Sequence, residues 1–341
     1  MFTRRSFNRT AMSTSLGAAA TLVMPRTRAF ADAEFRYKFA TTVSTDDPIS
    51  IYAQKAADRI KDETKGRLVI DVFPNGQLGN DSTLLSNVRS GSVEFINGSD
   101  NTMSVLTPVS AISNVAFAYK DYETAWKSVD EGLGPIVSRE LAKAGITVMD
   151  KIWDSGMREV YTSSKQINSA ADFAGMKVRV PVTPITYSAF KDMGASPTSV
   201  NFNEVYSALQ THLVDGMETA LVAFLHAKLY EVQKYCTLTN HAWSGYWIAA
   251  NSAAINKLPK DLQDIVRRVF NDTADEERQA SKKANLDAAD ELKKLGMTVN
   301  APSDPASFRD RLAKAGYYKN WEQKFGNEAW SVLEKFAGKL G

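Results

Sequence analysis

The first feature that could do chemistry is a positive charge inside a short apolar run, GMKVRVPVT at residues 175–183. The β-branched residues Val178, Val180 and Val182 favour an extended chain, in which alternate side chains point to opposite faces. Arg179 therefore lies on the face opposite these valines. Two interpretations are open: Arg179 is a solvated charge on an exposed face, or it lines a cleft and binds an anion.

The usual signatures of catalysis and metal binding are absent from the sequence. His212, His226 and His241 lack the spacing of a metal site, and Cys236 is the only cysteine, which excludes an internal disulfide. We find no Gly-x-Ser-x-Gly, no P-loop and no Gly-x-Gly-x-x-Gly motif. The sequence therefore predicts a protein that is not an enzyme and holds neither a cofactor nor a metal ion.

The first 31 residues have the character of an export signal. A twin arginine at residues 4–5 precedes a weakly apolar run over 11–24, and the segment ends in Ala-Phe-Ala at 29–31. A charged start, a short apolar stretch and small residues at a cleavage site are typical of secretory signals. The arginine pair favours the twin-arginine route, and a disordered basic tail is the alternative. We expect cleavage after residue 31.

Loss of this segment changes the net charge. The chain has 41 basic and 39 acidic residues, and the segment holds five arginines and no acid, so the remainder has 41 − 5 = 36 basic residues and a net charge of −3. No basic cluster follows residue 28, so nucleic-acid binding is not predicted. About 310 residues exceed one typical core, which favours two domains or lobes.

Strands and helices alternate on both sides of residue 160. The first part predicts strands at 35–42, 68–73, 93–96 and 146–152, and helices at 49–64, 82–89 (capped by Asp81) and 122–144. This order predicts a mostly parallel sheet, and the same order repeats after residue 160. A helical block over 260–295 is long for a globular protein. The chain has no Pro-, Gly- or Ser-rich linker, which favours two lobes with several crossings.

Three segments together resemble the signature sequences of TRAP-transporter periplasmic solute-binding proteins of the DctP type. They are GRLVIDVFPNGQLG at 66–79, DFAGMKVRVP at 172–181, and EVYSALQT at 204–211 followed by VDGME at 214–218. Their starts lie about 100 and about 30 residues apart, and the resemblance extends over essentially all of residues 35–335.

The resemblance implies an α/β fold that forms a two-lobed clamp, as in other periplasmic binding proteins. Each lobe would be a mostly parallel sheet flanked by helices, with a long helix spanning both. Lobe one would comprise residues 35–154 and 245–285, and lobe two residues 155–244 and 286–341. The protein would be a periplasmic monomer that delivers a small organic anion to the membrane subunits of a TRAP transporter.

The resemblance also implies which side chains contact the ligand. In this family, a strand arginine at the position of Arg179 pairs with the ligand carboxylate, for which the planar guanidinium is well suited. Arg158 matches a second arginine about 20 residues upstream, and its alternative role is a surface ion pair with Glu159 or Asp154. Phe202 matches a phenylalanine that packs against the ligand.

Two positions depart from the family pattern. The Asn that usually follows Val-Asp-Gly-x-Glu is Thr219, and the Asn that often follows Arg-x-Pro is Val182, which removes two amide contacts. Trp153, Trp243 and Tyr246 lie where the chain is expected to cross between lobes, and they stack on a planar ligand or pack in the core. We therefore expect a carboxylate ligand, a monocarboxylate with an aromatic or apolar body. A sugar acid, a C4-dicarboxylate and a sensory receptor as partner stay open.

Overall fold

The computed structural model describes residues 33–341, and the export signal predicted over residues 1–31 lies outside this range. The first elements show why the sequence folds as it does. In β1, Phe35–Ala40, alternate residues are buried, and Tyr37 and Phe39 face the core. In α1, Pro48–Glu63, the proline occupies the first turn and the Asp47 carboxylate accepts the backbone N–H of residue 49.

The strands of the described residues form one mixed sheet. They are β1, β2 (Leu68–Phe73), β3 (Phe95–Ser99), β4 (Ile146–Val148), β5 (Trp153–Thr162), β6 (Lys177–Val180), β7 (Ser196–Ser199), β8 (Gly216–Ala220), β9 (Tyr235–Asn251) and β10 (Thr298–Asn300). Eight of them follow the order β2-β1-β3-β9-β5-β8-β6-β7, and β4 and β10 each pair with β9.

Helices flank this sheet in the part of the chain that the structure describes. They are α1, α2 (Asp81–Ser90), α3 (Asp100–Met103), α4 (Tyr122–Ser128), α5 (Gly134–Lys143), α6 (Pro184–Met193), α7 (Val205–Gln210), α8 (Leu221–His226), α9 (Ser252–Lys257), α10 (Lys260–Lys294), α11 (Ala306–Lys314), α12 (Tyr317–Phe325) and α13 (Asn327–Ala337). The predicted helix over 122–144 is divided into α4 and α5 by a π-helical turn at Val129–Leu133.

The outer parts of the sheet are parallel and its centre is antiparallel. β1 pairs parallel with β2 and β3, and β6 pairs parallel with β7 and β8. Between these groups, β9 and β5 run antiparallel to each other and to their outer neighbours. The predicted α/β class with parallel strands and flanking helices is therefore confirmed, and the two halves are joined through β5 and β9.

The two central strands carry an irregularity near the middle of the sheet. Arg158 is paired with Ala242 and Val160 with Thr237, so one residue of β5 faces the four residues 238–241 of β9. Asn240, in this bulge, has a positive φ of 44°. The bulge and the glycine at 245 interrupt any regular alternation in β9. For this reason the sequence pattern does not predict β9.

The predicted long helix is confirmed as α10, which has 35 residues. Its buried positions recur every three or four residues, as in Leu262, Val266, Val269, Phe270 and Thr273. This face packs against α1 and β5, and further along against α8 and β10. A helix of this length extends about 50 Å, which is enough to contact both halves of the sheet.

Two local expectations need correction or stay open. The N-cap of α2 is Asn80 rather than Asp81, because the Asn80 side chain accepts the backbone N–H of Thr83 at 2.9 Å. Asp81 is thereby the first helical residue, and its carboxylate is free to contact other segments.

The predicted lobe boundaries remain a proposal. α13, which was assigned to lobe two, packs against α4.

Candidate ligand-binding site

A cavity of about 300 Å³ lies against the ends of β6 and β8 and one face of α2. This volume is at the lower end of the range for small-molecule sites. Its walls come from segments far apart in the sequence: Thr42, Asp81, Ser82, Leu85, Ser86, Arg89, Ser99, Asn101, Thr102, Val105, Leu106, Arg158, Arg179, Pro181, Val182, Phe202, Thr219 and Tyr246. Five of the seven predicted ligand contacts are in this set.

Arg179 is held on the cavity wall by its strand and by a neighbouring backbone group. The side chain is only 2% exposed, whereas Lys177, two residues earlier on β6, is exposed. Its Nε and Nη2 atoms donate hydrogen bonds to the carbonyl oxygen of Val200, at 2.9 and 2.6 Å. The interpretation of Arg179 as a solvated surface charge is therefore wrong.

The charge of Arg179 has no direct counter-charge. Within residues 33–341 no carboxylate lies within ion-pair distance of its guanidinium. Burial, opposed by the charge of Glu218 and aided by that of Arg158, lowers the pKa of Arg179 to about 10. A pKa near 10 leaves the group protonated at neutral pH. The cavity wall thus presents a desolvated positive charge, which favours an anion.

Arg158 also reaches the cavity, but its charge is already neutralised. Its Nη2 atom donates to Oε1 of Glu218 at 2.7 Å, and its Nε atom donates to the other carboxylate oxygen. Both side chains are buried, and Nε2 of His241 lies 3.3 Å from the same carboxylate. Burial raises the pKa of Glu218, but the charge of Arg158 and the contact with His241 outweigh it and hold that pKa near 2.

The alternative role expected for Arg158, a surface ion pair with Glu159 or Asp154, is wrong. Both carboxylates are buried, and both accept hydrogen bonds from groups other than Arg158. Glu159 accepts the backbone N–H of Asn240 at 2.8 Å, and burial raises its pKa to about 8. Asp154 accepts N–H groups from two tryptophan rings, and burial raises its pKa to about 7.

Three other predicted residues line the cavity beside the two arginines. The ring of Phe202 lies 5.9 Å from the Arg179 guanidinium and contributes a cation–π contact. Thr219 is buried on β8, at the position where the family usually has Asn. Tyr246 extends from β9, and burial, aided by the charges of Asp47 and Asp81, raises the pKa of its hydroxyl.

Trp153 and Trp243 lie in the core and are not part of the cavity wall. Trp153 is fully buried beside Phe270, and its indole N–H donates to the Phe270 carbonyl at 3.3 Å. Trp243 donates to Asp154 at 3.1 Å and packs edge-on against Tyr119. Both rings pack against core residues and bond to core groups, so core packing was the better of the two interpretations.

The wall contributed by residues 80–106 was not predicted. Asp81 connects both sides of the cavity: it accepts the hydroxyl of Thr42 at 2.8 Å and the backbone N–H of Phe202 at 3.2 Å. On α2, Asp81, Leu85 and Arg89 are spaced by four residues, so they share one helical face. This i, i+4, i+8 spacing could have predicted that the three side chains share one face of α2, although no recognisable binding motif includes them.

The opening of the cavity is apolar on two sides. Val105 and Val182 line the cavity, yet 60% and 37% of their surfaces are exposed, so they lie where it opens to solvent. Next to them, the hydroxyl groups of Ser104 and Thr183 are 3.1 Å apart and connect the two sides. Exposed valines at an opening favour a ligand that is partly apolar there.

Metal binding and membrane insertion find no support in the described residues. Residues 33–341 contain no group of three or more His, Cys, Asp or Glu side chains arranged to hold a metal ion. None of the helices described here combines the length and apolar character needed to cross a membrane.

Comparison with known proteins gives consistent matches over most of the chain. Residues 39–324 match the family model DctP, described as bacterial extracellular solute-binding protein, family 7. The 2,3-diketo-L-gulonate-binding periplasmic protein YiaO of Escherichia coli is 30% identical over 275 residues, which is 81% of this chain and 84% of that protein.

Solved structures match as well. The sugar acid binding protein DctPAm of Advenella mimigardefordensis, in complex with galactonate, has a TM-score of 0.86 and 26% identity, covering 91% of this chain and 100% of that one. A TRAP periplasmic solute binding protein of Sulfurospirillum deleyianum with bound succinate has a TM-score of 0.83 and 27% identity, covering 90% and 99%.

Proposed function

This chain belongs to family 7 of the bacterial extracellular solute-binding proteins, and we propose that it captures an organic acid anion in the periplasm for import by a TRAP transporter. Members of the family bind solutes and are not enzymes, so the prediction that the chain is not an enzyme is confirmed. The ligand, its contacts and the membrane subunits as partners are inferred from the cavity and from the relatives.

One observation carries the proposal: the charged guanidinium of Arg179 is buried on the wall of a cavity and has no carboxylate partner in the described residues. A buried charge without a counter-charge is unfavourable, and a ligand carboxylate would relieve that cost. The Val200 carbonyl fixes one edge of the guanidinium, which leaves Nη1 and the rest of Nη2 for the ligand.

The pairing of Arg158 with Glu218 limits the charge at this end of the cavity. Because that pair is neutral overall, Arg179 is the guanidinium without a direct partner at this end and suits one carboxylate, although the nearby Asp81 reduces the local positive charge. We propose that Arg158 donates a secondary hydrogen bond, while Thr219 and Tyr246 border the carboxylate. This agrees with the expected monocarboxylate head group.

The rest of the ligand is proposed to be apolar or aromatic. Phe202, Leu85 and Leu106 line the cavity, and the two valines line its opening. Burying apolar surface against these side chains stabilises the complex by about 25 cal/mol per Å².

Hydroxylated acids are the second candidate, favoured by a separate observation. Ser82, Ser99, Asn101 and Thr102 also line the cavity and can bond to hydroxyl groups. The relatives named above bind 2,3-diketo-L-gulonate, galactonate and succinate, all of which are carboxylates.

Binding is proposed to close the clamp. Residues 80–82 bond to residues 201–204, which the lobe assignment places on opposite sides: Asn80 Nδ2 lies 3.1 Å from Glu204 Oε1, and Ser82 Oγ lies 3.1 Å from Asn201 Oδ1. Contacts made only in the closed state would favour closure around the ligand.

A thermal-shift screen tests the proposal. Octanoate, benzoate, succinate, galactonate and 2,3-diketo-L-gulonate are added to the wild type and to Arg179→Met. A ligand present at 100 times its Kd stabilises the folded state by about 2.7 kcal/mol. We expect at least one acid to raise the Tm of the wild type and not that of the variant. Equal shifts in both proteins, or no shift with any acid, would contradict the proposal.

A further inference from the structure

The cavity has a second basic residue that the Arg179 contact does not use. α2 lines the cavity with one face, on which Asp81, Leu85 and Arg89 follow each other at intervals of one helical turn. Asp81 lies at the Arg179 end, because it accepts the N–H of Phe202, whose ring contacts Arg179. Eight residues of α-helix span about 12 Å, so the backbone of Arg89 lies about that far along the wall.

Arg89 is exposed at the outer end of this face, where the cavity opens. No carboxylate of the described residues lies within ion-pair distance of it, in contrast to most arginines of α1 and α10. Arg89 is in the last turn of α2, where a positive charge interacts favourably with the helix dipole. This interaction explains a basic residue at the end of the helix, but it does not explain why the residue is on the face that lines the cavity.

Part of the wall between the two arginines is apolar, beside the polar Ser82 and Ser86 of α2. Leu85 is midway between Asp81 and Arg89 on the same face, and Leu106 also lines the cavity. In a helix, long side chains lean towards the N-terminus, which directs Arg89 back along the cavity rather than away from it. The cavity therefore has a basic side chain towards each end, with the Asp81 carboxylate near Arg179, and a partly apolar section between them.

We infer that Arg89 binds a second anionic group of the ligand, so that the preferred ligand is an elongated diacid with an apolar body. This inference rests on the proposed function, since it assumes a carboxylate at Arg179, but it replaces the proposed monocarboxylate by an acid with a second, distal anionic group. Because Asp81 and Arg89 are two helical turns apart, we expect an α,ω-diacid with several methylene groups, rather than succinate, to contact Arg179 and Arg89 together. The distal contact is exposed to solvent, so its contribution is modest.

Calorimetric titration of the wild-type protein with suberate and octanoate tests this. The two acids have the same chain length and differ only in the distal carboxylate. We expect suberate to bind at least threefold more tightly than octanoate at low salt. Arg89→Gln should abolish this preference and leave octanoate affinity unchanged. Lys319→Gln, which removes an exposed charge that does not line the cavity, should preserve the preference.

The outcomes separate the two proposals. Equal affinity for suberate and octanoate in the wild type, or a preference that survives in Arg89→Gln, overturns the role of Arg89. Failure of both acids to bind overturns it as well. In each of these cases the carboxylate contact at Arg179 stands if any other acid of the thermal-shift screen binds the wild type and not Arg179→Met. Loss of that difference overturns the proposed function itself.

Discussion

The guanidinium of Arg179 and the carbonyl oxygen of Val200 form a forked contact, with Nε and Nη2 at 2.9 and 2.6 Å from the same oxygen. A neutral carbonyl orients the group without cancelling its charge. The side chain is therefore positioned in the absence of a ligand, and less conformational entropy is lost when an anion binds.

Replacing Arg179 should separate ligand affinity from protein stability. In Arg179→Met, we expect affinity for a carboxylate ligand to fall by about 2–5 kcal/mol, the range for truncating one partner of a buried charge pair. This corresponds to about a 30- to 5,000-fold rise in Kd. The unfolding free energy of the ligand-free protein should stay the same or rise, because an uncompensated buried charge is removed.

Calorimetric titration and urea unfolding provide the two measurements. Arg139→Met, which removes an exposed pair with Glu328, is the matched control and should change neither quantity much. A variant that binds as tightly as the wild type would show that the carboxylate binds elsewhere.

Arg158, unlike Arg179, has a buried counter-charge, so breaking its ion pair should lower the stability of the protein. Glu218→Gln leaves Arg158 buried without its counter-charge, which we expect to lower the unfolding free energy by about 3–5 kcal/mol. The double variant Arg158→Met/Glu218→Gln should lose much less than the sum of the two single changes. A double-mutant cycle by urea unfolding measures this coupling, and additive losses would contradict the assigned pair.

Much of this arrangement was predictable from the sequence. β6 and the motif around Arg179 combine β-branched alternation with a charge, and such local patterns are readable in one segment. The same holds for α1 and α10, whose apolar residues follow the helical period. Five of the seven expected ligand contacts line one cavity. The adjacent strands β9, β5, β8 and β6 carry Tyr246, Arg158, Thr219 and Arg179, and Phe202 begins the short helical turn that follows β7.

The remainder depends on tertiary contacts that one segment does not encode. The 17-residue strand β9 is buried on both faces and broken by the bulge at 238–241, so it has no regular alternation. Trp153 and Trp243 are at strand positions that face helices, and the sequence alone does not distinguish that side from the cavity. Arg89 is a polar position on an amphipathic helix, and only the packing of α2 brings it to the cavity.

Stability should depend on pH through Glu159. Burial raises the pKa of this carboxyl group to about 8, so the folded state keeps a proton that the unfolded chain releases above its ordinary pKa of about 4.3. The stabilisation is fully present below about pH 4 and is lost as pH rises towards 8, by up to about 1.4 kcal/mol per pH unit.

Glu159→Gln cannot titrate, and its amide oxygen can still accept the N–H of Asn240. Urea unfolding of both proteins at pH 5, 6, 7 and 8 isolates this group, because other titrating groups cancel in the difference. The wild type should lose stability relative to the variant as pH rises. Parallel curves would mean that Glu159 is ionised across this range and that the backbone N–H groups of the bulge stabilise its charge.

Closure should respond to a single charge placed beside Glu204. Asn80 caps α2 through its Oδ1 atom and donates from Nδ2 to Glu204 at 3.1 Å. Asp is an equally good N-cap, so Asn80→Asp keeps the helix but places two carboxylates in direct contact where residues 80–82 meet residues 201–204. We expect the ligand dissociation rate to rise about two- to tenfold with little change in unfolding free energy, and Asn80→Asp/Glu204→Gln to restore the wild-type rate. Stopped-flow displacement measures both. Since the Asn80–Glu204 contact would form only in the closed state, an unchanged rate in Asn80→Asp would place these two residues outside the closing motion.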